Sequence, residues 1–226
     1  ALETSVFGMP QVGAAVGMAG ILTGALAITG VGLKITGGLV EISGGNVFII
    51  LVLAGIVAAI MGMGLPAISV YLLVAILMAP ALVMQGVLPI AAHMFLLYWG
   101  MTALITPPVC AAVFVTATIA QTSFMRAGWE AMRLGSAIYI VPFMFVYTPA
   151  LLLVGTPLDV ARAFVFAAIG IYFLSCGLQG YFLRRTSWVE SILFLAGAFM
   201  QVPPSLAIQL AGVGVGLCPM LRQLFR

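Results

Sequence analysis

The residues best placed for chemistry lie at two interruptions of otherwise apolar sequence. The first interruption is Gly62-Met63-Gly64-Leu65-Pro66, and the second is Thr106-Pro107-Pro108. Hydroxyl oxygens stand nearby at Ser69 and Thr102. Glycine permits unwound backbone, whereas proline lacks a backbone donor and clashes with the preceding helical turn. Both interruptions therefore predict broken helices, whose ends leave backbone amides and carbonyls without helical partners.

Such helix ends can bind ions or charged solutes. Each end carries about half a unit of charge, negative at the carbonyl end and positive at the amide end. In secondary transporters, carbonyl ends favour Na⁺ or H⁺ and amide ends favour anionic groups. The stretch from Ile42 to Met125 has no charged side chain, so a cation there would have to use carbonyl and hydroxyl oxygens. The predicted binding region comprises Gly62, Gly64, Pro66, Ser69, Thr102, Thr106, Pro107 and Pro108.

A plainer interpretation of the same residues stays open. Glycine and proline are also frequent in transmembrane helices as simple kinks that bind nothing. Pro66 and the pair Pro107-Pro108 are expected at the starts of second half-helices, where a missing amide costs least.

The composition places these breaks in a membrane protein. Of the 226 residues, 64% are hydrophobic and 6% are charged, against about 25% charged residues in soluble domains. A charge at the bilayer centre costs roughly 2.5–3.5 kcal/mol, and a second stretch from Val6 to Leu33 is also free of charge. The sequence therefore predicts an all-α chain that crosses the bilayer several times.

Two supersecondary elements are expected around the breaks. Val47 to Met61 and Ala67 to Val83 are each shorter than the roughly 20 residues that a span needs. We predict a re-entrant hairpin over residues 46–83, with two full spans and a tight turn as the alternative. Met94 to Ile105 and Val109 to Ala120 predict a single discontinuous transmembrane helix over residues 94–121.

The remaining segments are predicted from apolar runs and the polar residues between them. The prolines at 142, 149 and 203–204 are interpreted as kinks or breaks. The expected segments are a first helix (Val6 to Leu33), polar connections (Lys34 to Gly45 and Gln85 to His93), an interfacial helix (Gln121 to Arg133), a helix over 134–155, a turn (Thr156 to Arg162), a span (Ala163 to Leu183) and a final run (Trp188 to Gly216).

Basic residues suggest how the chain is oriented. By the positive-inside rule, Arg126 and Arg133 are expected in the cytoplasm together with Arg184 and Arg185. The other side of the membrane is then expected to hold Asp159, Arg162, Arg222 and Arg226.

Other chemistry has no support in the sequence. Cys110, Cys176 and Cys218 show neither metal-ligand nor disulfide spacing and are predicted to be packing residues. His93 is predicted to lie at the membrane interface, at a helix start. No nucleophile–base arrangement, phosphate loop or basic nucleic-acid patch is present, so we expect neither an enzyme nor a cofactor nor a nucleic-acid partner.

Five ordered motifs resemble one transporter family. The sequence resembles the large, DctM-like permease of tripartite ATP-independent periplasmic (TRAP) transporters over roughly residues 1–155, and most closely the fused permease that accompanies TAXI-type binding proteins. The motifs are Gly62-Met63-Gly64-Leu65-Pro66, Ala79-Pro80-Ala81-Leu82, Ala91-Ala92-His93-Met94-Phe95, Ile105-Thr106-Pro107-Pro108-Val109 and Pro142-Phe143-Met144-Phe145-Val146-Tyr147-Thr148-Pro149-Ala150-Leu151-Leu152.

The resemblance implies an elevator-type importer in the bacterial inner membrane. It implies Na⁺ as the coupling ion, held mainly by backbone near Gly62, Gly64 and Thr106, and an organic anion with a carboxylate as the solute. It also implies a periplasmic solute-binding protein as a partner.

The resemblance further implies an inverted repeat. Members carry two sets of hairpin and broken helix, whereas only one set is visible here, so residues 1–155 are expected to be the C-terminal repeat and residues 156–226 additional helices. The remaining half of the permease would then be a partner. A membrane scaffold or assembly subunit without a substrate site is the alternative function.

Overall fold

The part of the chain that the structure describes consists of helices joined by turns and short loops. In a computed structural model, these residues are Gly17, Ile21, Gly24, Ala25, 28–63 and 67–224. They contain no strand, apart from one bridge between Tyr181 and Arg185, so the predicted all-α class is confirmed. The first predicted helix lies mostly outside the described residues. The helices are α1 (Val31–Ser43), α2 (Val47–Met61), α3 (Ala67–Met84), α4 (Pro89–Thr102), α5 (Ala111–Ile119), α6 (Phe124–Leu134), α7 (Ala137–Tyr147), a 3-10 turn (Pro149–Leu152), α8 (Pro157–Gln179), α9 (Trp188–Phe199) and α10 (Leu206–Leu224).

Three of these helices are long and apolar enough to cross a bilayer, namely α3, α8 and α10. The shorter helices α2 and α9 are also apolar. Large apolar side chains on the outer faces are widely exposed, for example Leu158 at 78% and Val165 at 57%. A soluble protein rarely exposes so much contiguous apolar surface, and lipid would cover it here.

The chain folds into two compact units, residues 1–104 and residues 105–226. In the first unit, α4 packs against both α2 and α3, while α1 packs against α3. In the second unit, α9 packs between α8 and α10 around a core that includes Phe173, Leu174 and Phe194.

Helix α1 occupies most of the segment from Lys34 to Gly45, which was predicted to be a polar connection. This segment is helical as far as Ser43. Thr36, Leu39 and Ser43 are buried, and their spacing of three and four residues places them on one helical face. The Thr36 hydroxyl donates to the carbonyl of Leu77 at 3.3 Å. Tertiary burial of this face therefore outweighs the glycines that suggested a loop.

Two other predicted connections also belong to helices. Helix α4 begins at Pro89, so much of the predicted connection from Gln85 to His93 is helical. Helix α8 begins at Pro157, where a turn was expected up to Arg162. Its N-cap is Thr156, which accepts from the Asp159 amide at 3.3 Å. Proline suits the first position of a helix because its missing donor has no helical partner there.

The predicted helix over residues 134–155 is shorter than expected. Helix α7 ends at Tyr147, and Pro149 starts a 3-10 turn. The residue before a proline is disfavoured in the helical region, which explains why the helix stops instead of kinking. Pro142 lies within α7, as a kink would require.

The final apolar run folds back on itself. The break at Pro203-Pro204 separates α9 from α10, which run antiparallel, since Gly197 approaches Gly212 and Glu190 accepts from Gln223 at 3.0 Å. The end of α10 therefore returns to the start of α9. The prediction that Arg222 lies on the side opposite to Arg184 is wrong for this reason, and Arg226 lies outside the described residues.

Candidate functional site at the helix breaks

The first predicted break is present in the structure. Helix α2 ends at Met61 with Gly62 as its C-cap, and α3 begins at Ala67. Ser69 is half-buried in the first turn of α3. Gly64 and Pro66, which were predicted for the same site, lie outside the described residues.

Gly62 touches the end of another helix. A β-carbon at Gly62 would collide with the carbonyl oxygen of Gly100 and lie 2.9 Å from the β-carbon of Ala103. The C-terminal end of α2 therefore lies directly against the C-terminal end of α4. This contact brings Gly62 and the segment containing Thr102 together within the first unit.

Two further glycines complete this packing. A β-carbon at Gly55 would lie 2.8 Å from the Trp99 ring, and one at Gly100 would lie 2.8 Å from Val70. We name Gly55, Gly62 and Gly100 the first glycine seam. Sequence reasoning missed Gly55 and Gly100 as parts of the site. The available signal was the seven-residue spacing of Gly55 and Gly62, which places both on one face of α2.

Thr102 is fully buried at the end of α4. Its hydroxyl donates to the Trp99 carbonyl at 2.7 Å, so the Thr102 oxygen could serve an ion only as an acceptor. It shares the helix end with the carbonyls that carry the negative pole of α4.

The second predicted break is also present and belongs to the second unit from Ile105 onward. Helix α5 begins only at Ala111, so Pro107 and Pro108 precede its first turn. The prediction that these prolines start the second half-helix is wrong. The Cys110 amide donates to the Thr106 carbonyl at 3.1 Å, which closes a single turn across both prolines.

Helix α6 holds this break in place. A β-carbon at Gly128 would lie 2.9 Å from Cys110 Sγ and 3.0 Å from Pro107 Cγ. One at Gly135 would lie 2.6 Å from Ile105 Cδ1. We name Gly128 and Gly135 the second glycine seam. Its seven-residue spacing repeats the spacing of Gly55 and Gly62.

Thr106 has a partner in α7. Its hydroxyl and the Tyr139 hydroxyl share a hydrogen bond of 2.6 Å. Neither Tyr139 nor the glycines of α6 were predicted as site residues, because their contacts with the break arise only from tertiary packing.

The polar groups at the breaks are mainly uncharged oxygen atoms. Within the described ranges, no three His, Cys, Asp or Glu side chains form a group that could hold a metal. His93 lies in the second turn of α4, and its Nδ1 is 3.2 Å from the Tyr71 hydroxyl. Backbone carbonyls and hydroxyls are therefore the groups that these breaks offer to a cation.

A family comparison covers both breaks. The family described as "Tripartite ATP-independent periplasmic transporter, DctM component" matches residues 1–158. The chain belongs to the DctM family. This finding confirms the predicted resemblance over residues 1–155, while the TAXI-type subtype stays a prediction. No curated protein matches the chain, and no solved structure does so either.

Membership in the DctM family, with the apolar helices, makes the chain a multi-pass membrane protein and a permease component of a TRAP transporter. The family is one of transporters and not of enzymes, and it implies a periplasmic binding protein and a small membrane component as partners. Both helix breaks fall within the matched residues.

Proposed function

We propose that the chain is the part of a TRAP permease that couples Na⁺ to the import of an organic anion. A periplasmic binding protein would deliver the solute, which carries a carboxylate, to the permease in the bacterial inner membrane. The observation that carries the proposal is the contact between Gly62 and Gly100, where the carbonyl ends of α2 and α4 meet.

The carbonyl ends of α2 and α4 lie in contact, so a positive charge between them would be stabilising. Each end carries about half a negative unit, and the two repel each other in a low-dielectric setting. No charged side chain occurs from residue 42 to residue 125 to offset this charge. A bound Na⁺ would relieve the repulsion, with carbonyl oxygens and the Thr102 hydroxyl as ligands, as at the helix ends of other secondary transporters.

The amide ends of the second half-helices suit the solute. The start of α5 at Ala111 carries the positive pole of that helix, and positive poles attract carboxylates. Membership in the DctM family supports an elevator-type carrier for this transport.

The test is uptake by the complete transporter, with its binding protein, in proteoliposomes. Carboxylate-bearing solutes are expected to accumulate with an inward Na⁺ gradient and not when choline replaces Na⁺. Thr102→Val keeps the side-chain volume and removes the oxygen. We expect it to raise the Na⁺ concentration for half-maximal uptake by about tenfold, the effect of losing one polar contact to a charged group.

A matched control separates this effect from the loss of a hydrogen bond between a threonine hydroxyl and a carbonyl of its own helix. The Thr116 hydroxyl donates to the Val113 carbonyl at 2.9 Å, which is the same local bond that Thr102 makes with Trp99. Thr116→Val is expected to leave the Na⁺ dependence unchanged. Uptake that persists without Na⁺ would refute coupling, and unchanged Na⁺ dependence in Thr102→Val would favour the scaffold alternative.

A further inference from the structure

One end of the second unit collects positive charge from separate helices. Arg133 at the end of α6 donates to the Leu178 carbonyl at the end of α8, at 2.9 Å. The Arg184 amide donates to the Gln223 side chain at 3.2 Å, and Arg222 lies 3.7 Å from Glu190. We name this the basic end, and its charged residues are Glu130, Arg133, Arg184, Arg185, Glu190 and Arg222.

Among the residues that the structure describes, the opposite end of the unit carries no excess of positive charge. There Arg162 donates to the Pro204 carbonyl at 2.7 Å, and Asp159 stands three residues before it in the chain. The basic end has four arginines against two glutamates. An anionic partner would therefore be attracted to the basic end in particular.

An open apolar groove starts at the basic end. Its volume is about 360 Å³, within the range of roughly 300–1,000 Å³ typical of small-molecule pockets. Arg133 lines the groove, and its side chain is 45% exposed. It pairs with Glu130 at 3.1 Å, and because exposed ion pairs are weak in water, a phosphate at the margin can compete with Glu130 for the Arg133 guanidinium. The apolar lining consists mainly of Trp129, Met132, Ile140, Leu174, Leu195 and Phe199.

Helix α6 has the character of a helix that lies at a membrane surface. Arg126, Glu130 and Arg133 are spaced four and three residues apart, which places them on one face. Trp129 is 55% exposed, and tryptophan is favoured at the level of lipid headgroups. The groove thus leads from the headgroup level at α6 into the apolar helices.

The lining of the groove suits an acyl chain. Such a chain is apolar along its length, as are the side chains of Met132, Leu174 and Leu195 that line the groove. The excess of arginine at the basic end favours an anionic headgroup over a neutral one.

We propose that an anionic phospholipid binds this groove, with one acyl chain among the apolar residues and its phosphate at Arg133. Basic pockets between transmembrane helices bind anionic headgroups in this way. The proposal needs only a membrane-embedded second unit and is independent of Na⁺ coupling.

The experiment measures quenching of Trp129 fluorescence by brominated lipid in nanodiscs that contain the complete transporter. The difference between the unmodified chain and Trp129→Phe isolates the signal of Trp129. Brominated phosphatidylglycerol is expected to quench Trp129 at a several-fold lower mole fraction than brominated phosphatidylcholine.

Arginine variants at the two ends of the second unit test whether the positive charge of Arg133 attracts the anionic lipid. Arg133→Gln is expected to reduce the preference for phosphatidylglycerol about fivefold, as the loss of one basic residue near a headgroup implies. Arg133→Lys should retain most of it. Arg162→Gln is the matched control, because Arg162 also donates to a backbone carbonyl but lies at the other end, and it should change nothing.

Three results would overturn the proposal. The first is equal quenching of Trp129 by both lipids. The second is a preference that survives Arg133→Gln. The third is no quenching of Trp129 by either lipid, which would mean that protein covers the groove.

Discussion

Gly62 shows how an absent side chain lets two helix ends pack closely together. Its α-carbon lies against the Gly100 carbonyl, which belongs to the backbone and cannot rotate away from a new methyl group. Gly62→Ala should therefore force α2 and α4 apart. We expect a loss of about 1–3 kcal/mol, the usual cost of overpacking a tight core, measured by thermal unfolding of the purified transporter in detergent.

Gly37→Ala provides the control for a general glycine effect. Gly37 lies within α1, and a β-carbon there would meet nothing within 4 Å. Alanine is favoured over glycine in a helix by about 1 kcal/mol, so this variant should be neutral or more stable. Equal stability of both variants would show that the first glycine seam is looser than the contacts imply.

The sequence identified Gly62 but not its neighbours. A glycine among apolar residues, followed by proline, indicates a helix end from local rules alone. The contact with Gly100 depends on how α2 crosses α4, which no local pattern encodes. For the same reason Tyr139 could not be found from the sequence, although it bonds Thr106 from more than thirty residues away.

At the scale of elements, Glu190 joins the start of α9 to the end of α10. It is 5% exposed and accepts from the Ser187 amide at 2.8 Å and from Gln223 Nε2 at 3.0 Å. Glu190→Ala removes half of a capping box and leaves the buried Gln223 amide without its acceptor. Together these losses should cost about 2–4 kcal/mol, measured as a fall in the midpoint of thermal unfolding.

Glu130→Ala is the matched comparison for an exposed glutamate. Glu130 also pairs with an arginine, Arg133, at 3.1 Å, but its side chain is 56% exposed. Exposed pairs contribute about 0–1 kcal/mol, so this variant should unfold close to the unmodified protein. If Glu190→Ala lowered the midpoint of thermal unfolding as little as Glu130→Ala, the buried hydrogen bonds of Glu190 would not be what holds the start of α9 to the end of α10.

Some element boundaries were readable from the sequence and others were not. The break between α2 and α3 was found because glycine and proline stop helices whatever surrounds them. The helix from Val31 was missed because its glycines resemble a loop and only the burial of Leu39 and its neighbours makes it helical. The start of α8 was readable in principle, since Thr156-Pro157 is a capping signature.

At the scale of the molecule, composition predicted the membrane but not the packing. Helix α3 is apolar on every face, and a helix of that kind carries no stripe that shows which side meets its neighbours. Orientation likewise could not be worked out from chain order alone. It requires knowledge that the chain reverses at Pro203-Pro204, which brings Arg222 back to Arg184 through Gln223.

The placement of the basic end can be tested by cysteine labelling. The positive-inside rule places an end with four arginines in the cytoplasm, and the loop after the 3-10 turn, at the other end of α8, outside. Trp188 is 81% exposed at the basic end, and Leu153 is 72% exposed in that loop. In a Cys218→Ser background, which removes the exposed native thiol, a membrane-impermeant maleimide should label Leu153→Cys in intact cells.

The same reagent should label Trp188→Cys only after the inner membrane is permeabilised. Because Cys110 and Cys176 are buried, the background variant without an added cysteine should stay unlabelled and measures any opening of the fold. The reverse pattern would place the basic end outside. An anionic lipid at Arg133 would then have to belong to the outer leaflet, so the labelling result also decides from which leaflet the groove is filled.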